Sequence, residues 1–192
     1  DTEWLGHRVS GVVDVGADIE PDFYESLTTL AFVAALTKNL KLSTNVLVLP
    51  LREPRVLARQ LITLQALSKG RLVLGAGIGD YPAEFRVMQV PYAEKTRINE
   101  EYLGVLDAIL PGGRASFRGD NVVMEGGSFF PRVSPIPILL GGGIRRSSTS
   151  GVAELYEPVL KRIVRWGHGW IPEGPAALVA AGKLRLAELA ES

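Results

Sequence analysis

The stretch that decides the fold runs from Lys41 to Gly79 and reads KLSTNVLVLPLREPRVLARQLITLQALSKGRLVLGAGIG. Its aliphatic and β-branched residues predict one strand over Lys41–Leu49 and a second, short strand over Arg71–Ala76. Between them, Pro54 is typical of a first helical residue, and leucines then recur at helical spacing until the next glycine. This order predicts a β-α-β unit, in which the two strands lie parallel in one sheet.

The rest of the chain continues this alternation of strands and helices. We expect, in chain order, a strand at Thr2–Arg8, a helix capped by Ser26 that runs to about Thr37, a helix over Glu94–Leu110, a strand at Ile136–Leu140, a helix over Val152–Arg165, a short strand ending at Pro172 and a helix over Ala176–Leu189. Residues 112–134 differ in composition from the rest of the chain and predict a small antiparallel insertion with a turn near Gly119–Asp120.

Such regular alternation predicts an α/β fold, and we expect residues 1–192 to form a single domain. The pattern is compatible with an open doubly wound sheet or with a (β/α) barrel, and it does not choose between them. The five strands expected here are too few for a complete eight-stranded barrel.

The composition excludes several classes of function. Cysteine is absent, which excludes disulfides, thiolate catalysis and cysteine zinc sites. A chain without cysteine suits any compartment, and we expect this one in the cytoplasm. The 21 basic and 21 acidic residues give a net charge of zero, so neither nucleic acid nor an anionic membrane is an expected partner. We expect no signal peptide, because the first residues lack a basic segment followed by an apolar one, and the sequence has no apolar run of the ~20 residues that span a bilayer.

Ligands of parallel sheets collect at the carboxyl ends of the strands, which here are Asn45–Pro50 and Gly75–Asp80. In the second segment, Gly77 and Gly79 allow a ligand to approach the backbone closely. Asp80 follows them, and an aspartate at this place is typical of a helix or turn cap. The segment is not a dinucleotide fingerprint, because we expect a proline-containing loop rather than a helix after it.

A second candidate site follows the apolar strand Ile136–Leu140, which runs directly into Gly141, Gly142 and Gly143. A helix is expected to begin somewhere after these glycines, and bare backbone N–H groups at a helix start bind phosphate well. Arg145 or Arg146 can add a positive charge there. The alternative interpretation is a flexible glycine turn with no ligand.

Taken together, these segments resemble the luciferase-like monooxygenase superfamily, and especially its coenzyme F420-dependent branch. The resemblance rests on TEWLGHR, on the long run from Tyr24 to Asp80, on EFRVMQVPYAEKTRINEEYLGVLDAIL, on PIPILLGGG and on VRWGHGWIP, in that order. It implies a TIM-type (β/α)8 barrel, of which about strands two to six are visible in this chain. It also implies hydride transfer between F420 and a small organic substrate. The alternatives are an FMN-dependent monooxygenase and a non-catalytic flavin-binding protein.

The resemblance also implies roles for individual residues. His7 would lie beside the cofactor ring and act in proton transfer or substrate binding, with an inert strand-end histidine as the alternative. A non-proline cis peptide between Thr44 and Val46, within a bulge formed by Asn45 and Val46, would support one face of the ring. Asp80 would act with His7 as acid and base, although its side chain is one carbon shorter than the glutamate that some members carry there.

Further expectations come from the resemblance and from the remaining motifs. The glycine run 141–143 would hold the cofactor phosphate, and the helix over Ser26–Thr37, apolar on more than one face, would pair two copies into a homodimer. His168 stands where the family often has an aspartate, so it cannot take that residue's role, and Trp170 is expected in the core or in a pocket wall. No metal site is expected, because His7 and His168 lack ligand spacing.

Overall fold

The structure is a computed structural model, and it describes residues 24–147 and 151–191. The predicted strand Thr2–Arg8, including His7, lies outside the described residues. The elements within them are α1 (Ser26–Leu36), β1 (Leu42–Ser43), β2 (Leu47–Val48), α2 (Pro54–Leu67), β3 (Leu72–Gly77), α3 (Pro82–Val87), α4 (Lys95–Ile109), β4 (Gly113–Arg118), β5 (Val123–Phe129), β6 (Ile138–Gly141), β7 (Ile144–Arg146), β8 (Ala153–Leu155), α5 (Glu157–Trp166), β9 (Gly169–Ile171) and α6 (Ala176–Glu191). Short 3-10 turns lie at Leu49–Leu51 and Tyr92–Glu94.

The main sheet is parallel, with β3 at its centre. On one side of β3, β1 pairs with its first half and β2 with its second half. On the other side lies β6, followed by β9. In the described ranges this sheet is not closed into a barrel, because β1 and β2 form one edge and β9 forms the other. The predicted α/β fold is therefore confirmed, and the open sheet agrees with an incomplete barrel.

The core between the sheet and α2 follows the predicted helical spacing over three leucines. Leu57, Leu61 and Leu64 are buried against the strands. Leu67, the last leucine of this row, is 69% exposed. Ser68 is buried in its place, because residues four positions apart, such as Leu64 and Ser68, lie on the same face of a helix.

The start of α1 differs from the expectation that Ser26 caps it. The cap is Glu25, whose carboxylate accepts hydrogen bonds from the backbone N–H groups of Leu27 (3.2 Å) and Thr28 (2.7 Å). The same carboxylate accepts a hydrogen bond of 2.7 Å from Arg52, which follows the turn after β2. A longer side chain thus satisfies the first N–H groups of the helix and joins it to the neighbouring unit at the same time.

The single strand expected over Lys41–Leu49 is divided into β1 and β2. Thr44, Asn45 and Val46 separate them, and the peptide bond between Asn45 and Val46 is cis, within the stretch where the resemblance placed one. Both short strands still pair with β3, two residues each. The chain therefore leaves the sheet and returns to it within three residues.

Other segments confirm or correct the predicted elements. Strands β4 and β5 form an antiparallel hairpin, as expected for residues 112–134. The loop expected after Asp80 contains the short helix α3. After the glycine run, the described residues form a second antiparallel hairpin of β7 and β8, and the helix expected over Val152–Arg165 starts at Glu157. Among the described residues, no helix is both long and apolar enough to cross a membrane.

Candidate functional site

The segment between β1 and β2 is anchored to β3 by the side chain of Thr44. Its hydroxyl donates a hydrogen bond of 2.7 Å to the Gly75 carbonyl and accepts one of 3.0 Å from the Gly75 N–H. Thr44 is buried, and a Cβ at Gly75 would lie 1.9 Å from the Thr44 carbonyl oxygen. Because no side chain fits that gap, the glycine allows the two backbones to approach this closely.

The next part of the segment lies over the carboxyl ends of two strands. The Val46 side chain covers Gly77, where a Cβ would be 2.5 Å from the valine Cγ2. It also approaches Gly141 at the end of β6, where a Cβ would be 3.1 Å from the valine Cγ1. The structure therefore brings together Val46, Gly77 and Gly141, which the sequence had placed in three separate segments. The neighbouring Asn45 is exposed.

The glycines that follow β6 form a sharp backbone turn. Gly142 and Gly143 have φ values of +100° and +87°, in the left-handed region that favours glycine. The Trp170 indole N–H donates a hydrogen bond of 2.6 Å to the Gly142 carbonyl, and the Tyr156 N–H donates one of 2.8 Å to the Gly143 carbonyl. Trp170 is half-buried and packs against the core, as expected for a wall residue, and it also holds the glycine turn.

The helix expected over Val152–Arg165 begins five residues later than predicted, so in the described part of the chain the glycine run leads into a hairpin and not directly into a helix start. The helix α5 begins at Glu157, after the β7–β8 hairpin, and places a carboxylate rather than a free positive end in its first turn. The Arg185 guanidinium lowers the pKa of the Glu157 carboxyl by a hydrogen bond and by its charge. This helix start is therefore already neutralised within the protein.

The two arginines proposed as phosphate ligands lie in the β7–β8 hairpin and have partners there. Arg145 donates a hydrogen bond of 3.1 Å to Glu154, and its guanidinium lies 3.9 Å from the centroid of the Tyr156 ring. Arg146 donates a hydrogen bond of 3.1 Å to the Gly151 carbonyl. Both arginines are exposed, so a bound anion would have to compete with these contacts.

Asp80 lies where β3 leaves the sheet, and its carboxylate is 90% exposed. It is 3.5 Å from the ammonium of Lys95, the first residue of α4. The Lys95 ammonium also donates a hydrogen bond of 2.6 Å to the Gly79 carbonyl, and the Tyr92 hydroxyl donates one of 3.2 Å to the Asp80 carbonyl. Sequence reasoning missed Lys95 and Tyr92, because nothing in the spacing of 12 or 15 residues from Asp80 indicated contact.

The other histidine, His168, lies at the opposite end of the sheet. Its backbone N–H donates a hydrogen bond of 2.7 Å to the Ile138 carbonyl, and its Nδ1 accepts one of 3.2 Å from the Ile138 N–H. Ile138 is the first residue of β6, so these contacts lie at the amino ends of the strands. His168 therefore joins β6 to β9. It is separate from the carboxyl-end site, which Val46, Gly77 and Gly141 form at the other end of the strands.

The described residues also form a cleft of about 360 Å³ between α4, α5 and the β4–β5 hairpin. It lies outside the strand ends, and its polar groups are engaged within the protein. Glu100 accepts hydrogen bonds from Arg162 and from the Trp166 indole, while Glu101 accepts them from the backbone N–H groups of Asn121 and Val122. The carboxylates that line this cleft therefore hold α4, α5 and the hairpin together.

Comparison with known proteins identifies the family. The family model of the luciferase-like monooxygenases matches residues 3–163. The chain belongs to this family. The resemblance seen in the sequence is thus confirmed, and the carboxyl-end site lies in the matched region.

Luciferase-like relatives include proteins with and without an assigned activity. An uncharacterised protein of Mycobacterium tuberculosis (strain H37Rv) is 31% identical over 121 residues, which cover 62% of this chain and 42% of the relative. The limonene 1,2-monooxygenase of Rhodococcus erythropolis is 30% identical over 117 residues, which cover 61% of this chain and 28% of that enzyme. The chain therefore spans less than half of the length of these curated relatives.

Solved structures show the same fold at low sequence identity. The monooxygenase RslO1 from Streptomyces bottropensis superimposes with a TM-score of 0.73 at 22% identity, covering 87% of this chain and 49% of that one. The coenzyme F420-dependent tetrahydromethanopterin reductase from Methanopyrus kandleri gives 0.65 at 21%, with coverage of 88% and 51%. The oxygenating component of 3,6-diketocamphane monooxygenase from Pseudomonas putida, in complex with FMN, gives 0.65 at 18%, with coverage of 86% and 47%.

Proposed function

We propose that this chain forms part of an oxidoreductase that transfers a hydride between coenzyme F420 and a small organic substrate. The observation that carries the proposal is the packing of Val46 over Gly77 and Gly141. This packing sets an apolar side chain and two bare backbone segments at the carboxyl ends of adjacent parallel strands. Ligands of parallel α/β sheets bind at such ends.

The residues present fit a flat, largely apolar ring with a polar tail. Asn45 and Val46 would support one face of the ring, while Gly77 and Gly79 would let its edge approach the backbone. Gly141, Gly142 and Gly143 would hold the phosphate through backbone N–H groups, and Arg145 would contribute charge if it exchanged Glu154 for the anion. A bound deazaflavin would supply the hydride chemistry, while the protein supplies orientation and electrostatics.

We assign the acid and base roles to Asp80 and His7. Asp80 lies at the end of β3, and its exposed carboxylate is free to contact a substrate that enters above the ring. Histidine is the side chain best suited to proton transfer near neutral pH, which is why we assign that role to His7. The two residues would hold and move the proton while the substrate is oxidised or reduced.

FMN is the second candidate cofactor, and an FMN-bound structure of the same fold favours it. A monooxygenase with FMN would use the same ring support and would activate oxygen. The fluorescence of Trp4, Trp166 and Trp170 can follow a titration with F420 and with FMN. Tighter binding of F420 than of FMN supports hydride transfer, and the reverse supports the monooxygenase. Failure of both to bind would overturn the proposal.

A Trp166→Phe variant sharpens that titration. Trp170 hydrogen-bonds the glycine turn that would hold the phosphate, whereas Trp166 hydrogen-bonds Glu100 on the outer side of the sheet. We expect most of the quenching to persist without Trp166, because the signal should come from the indole that contacts the site.

We also propose that two copies associate through α1. The helix packs against α2, and its buried residues are Leu27 and Ala34, while Phe32 and Leu36 on the other side are 67% and 70% exposed. Large apolar side chains exposed together on one helix are typical of an interface. A cytoplasmic location remains our expectation.

A further inference from the structure

Lys95 makes contacts that an ordinary surface lysine does not make. Its side chain is only 17% exposed, although it stands at the first turn of α4. The ammonium donates hydrogen bonds to the Gly79 carbonyl at 2.6 Å and to the Tyr92 hydroxyl at 2.9 Å. It also lies 4.1 Å from the centroid of the Tyr92 ring and 3.5 Å from the Asp80 carboxylate.

Tyr92 completes the arrangement from the other side. Its hydroxyl accepts from Lys95 and donates to the Asp80 carbonyl at 3.2 Å, so the two side chains together bind two successive carbonyl groups. Its ring packs edge-on against Phe85 in α3, with centroids 5.2 Å apart and planes at 87°. Phe85 is fully buried, so this aromatic pair gives the tyrosine a rigid support.

The backbone held in this way is the turn by which β3 leaves the sheet. Gly79 has a φ of +81°, and a Cβ there would lie 2.7 Å from Val48 and 2.9 Å from Phe85. The turn is thus enclosed between the end of β2 and the helix α3. Its two carbonyl groups face the Lys95 ammonium and the Tyr92 hydroxyl, which stabilise them by charge and by hydrogen bonding.

We propose that Lys95, supported by Tyr92, is a positioning residue that sets the Gly79–Asp80 turn for cofactor and substrate binding. This inference rests on the proposed function of the same site. Lys95 acts through the turn: its bonds to Gly79 and to Asp80 determine where the backbone beside the ring and the Asp80 carboxylate stand. Without these bonds, the positions of the ring and of the Asp80 carboxylate would depend on a glycine turn, and glycine has access to more backbone conformations than other residues.

The test is a Lys95→Met variant, which retains the length and apolar stem of the side chain and removes its donors. Lys161→Met is the matched control, because Lys161 is a 65% exposed lysine on α5 that lies 4.0 Å from Glu157. For both variants and the parent protein, the measurements are the Kd values for F420 and for FMN, the induced circular dichroism of the bound ring, and the amide hydrogen exchange of residues 79–81.

We expect Lys95→Met to raise the Kd of the preferred cofactor at least tenfold, to change its induced circular dichroism, and to speed exchange at residues 79–81. Lys161→Met should leave all three within twofold of the parent. A milder variant, Tyr92→Phe, should move the same quantities in the same direction by a smaller amount, because it removes only the hydroxyl. It keeps the ring that packs on Phe85, so it reports on the turn even if Lys95→Met folds poorly.

The outcomes separate this inference from the proposed function. If the parent binds a cofactor and Lys95→Met and Tyr92→Phe bind it with unchanged Kd and unchanged dichroism, the positioning role is overturned while the proposed function stands. A lower melting temperature with unchanged binding would also overturn it, since the contact would then be structural only. If the parent binds neither cofactor, the proposed function and this inference are both overturned.

Discussion

The hydroxyl of Thr44 binds both polar groups of one residue, the carbonyl and the N–H of Gly75, at 2.7 and 3.0 Å. One side chain thus replaces the strand–strand hydrogen bonds that are lost where the chain departs from the sheet between β1 and β2. The two residues are 31 positions apart in the sequence. The contact anchors the segment that places Val46 over the strand ends.

Replacing Thr44 with valine should destabilise the protein by about 1–3 kcal/mol. The substitution keeps the shape of the side chain but leaves the buried N–H and carbonyl of Gly75 without their partner, and buried unsatisfied groups are costly. Urea unfolding measures the effect. Thr63→Val is the control, because that hydroxyl is exposed and only bonds back to the Arg59 carbonyl within α2. Equal losses for the two variants would contradict the anchoring role of Thr44.

Replacing Gly75 with alanine should cost about 3 kcal/mol or more, or prevent folding, because the new Cβ would lie 1.9 Å from the Thr44 carbonyl oxygen. The obstacle is backbone, so it cannot rotate away. Gly126→Ala is the comparison: Gly126 has a φ of +65°, and a Cβ there would have no neighbouring atom within 4 Å, so only the backbone cost of about 1 kcal/mol applies. Thermal unfolding and the soluble yield of both variants would test this; a Gly75→Ala protein as stable as Gly126→Ala would refute it.

Low pH should weaken the hydrogen bonds by which the Glu25 carboxylate caps α1 and joins it to Arg52. Partial burial alone would raise the pKa of this carboxyl, but hydrogen bonds from Thr28, Leu27 and Arg52 outweigh it and lower the pKa to about 2 from a usual 4.5. Because the pKa is lowered in the folded state, the ionised Glu25 carboxylate stabilises the fold above pH 4.5. This stabilisation is lost as the pH falls towards 2.

Glu25→Gln should therefore lower the free energy of unfolding by about 1 kcal/mol at pH 7, the usual magnitude for a helix cap. The difference from the parent should shrink as the pH falls below 4.5. Urea unfolding between pH 7 and pH 3 gives this difference. Glu125→Gln removes an exposed ion pair with Arg118 and should show little effect at any pH. A difference for Glu25→Gln that does not change with pH would exclude the carboxylate as its source.

Association through α1 should be lost when its exposed apolar side chains are charged. We expect the double variant Phe32→Glu, Leu36→Glu to be monomeric at micromolar concentration while the parent is a dimer, as measured by light scattering. The control is Val123→Glu, a change at a 49% exposed apolar residue of the β4–β5 hairpin, which should leave the dimer intact. A monomeric parent, or a dimeric double variant, would remove the case for this interface.

Local patterns predicted the main elements because those elements depend on short-range spacing. The proline start of α2, its leucine row and the apolar strands on either side are readable from neighbouring residues alone. The long helix α4 and the β4–β5 hairpin were predicted for the same reason. The resemblance, confirmed by the family match, added the barrel type.

Local patterns failed where a distant residue decides the conformation. The strand expected over Lys41–Leu49 is interrupted at Thr44–Val46, where Thr44 binds Gly75 of another strand. Glu25 rather than Ser26 caps α1, and its carboxylate also binds Arg52, 27 positions away. In each case the competing partner lies outside the window that periodicity or capping rules examine.

The sequence by itself determined the parallel β-α-β framework and the end of the sheet at which glycines gather, because hydrophobic periodicity and glycine both act locally. Only the tertiary structure decided how those glycines are used. Val46 meets Gly77 and Gly141, Thr44 meets Gly75, and Lys95 meets Gly79, because each missing side chain or free carbonyl is matched by a group from a separate segment. These contacts depend on how the strands pair and on where the helices pack. They therefore form only when the chain is folded.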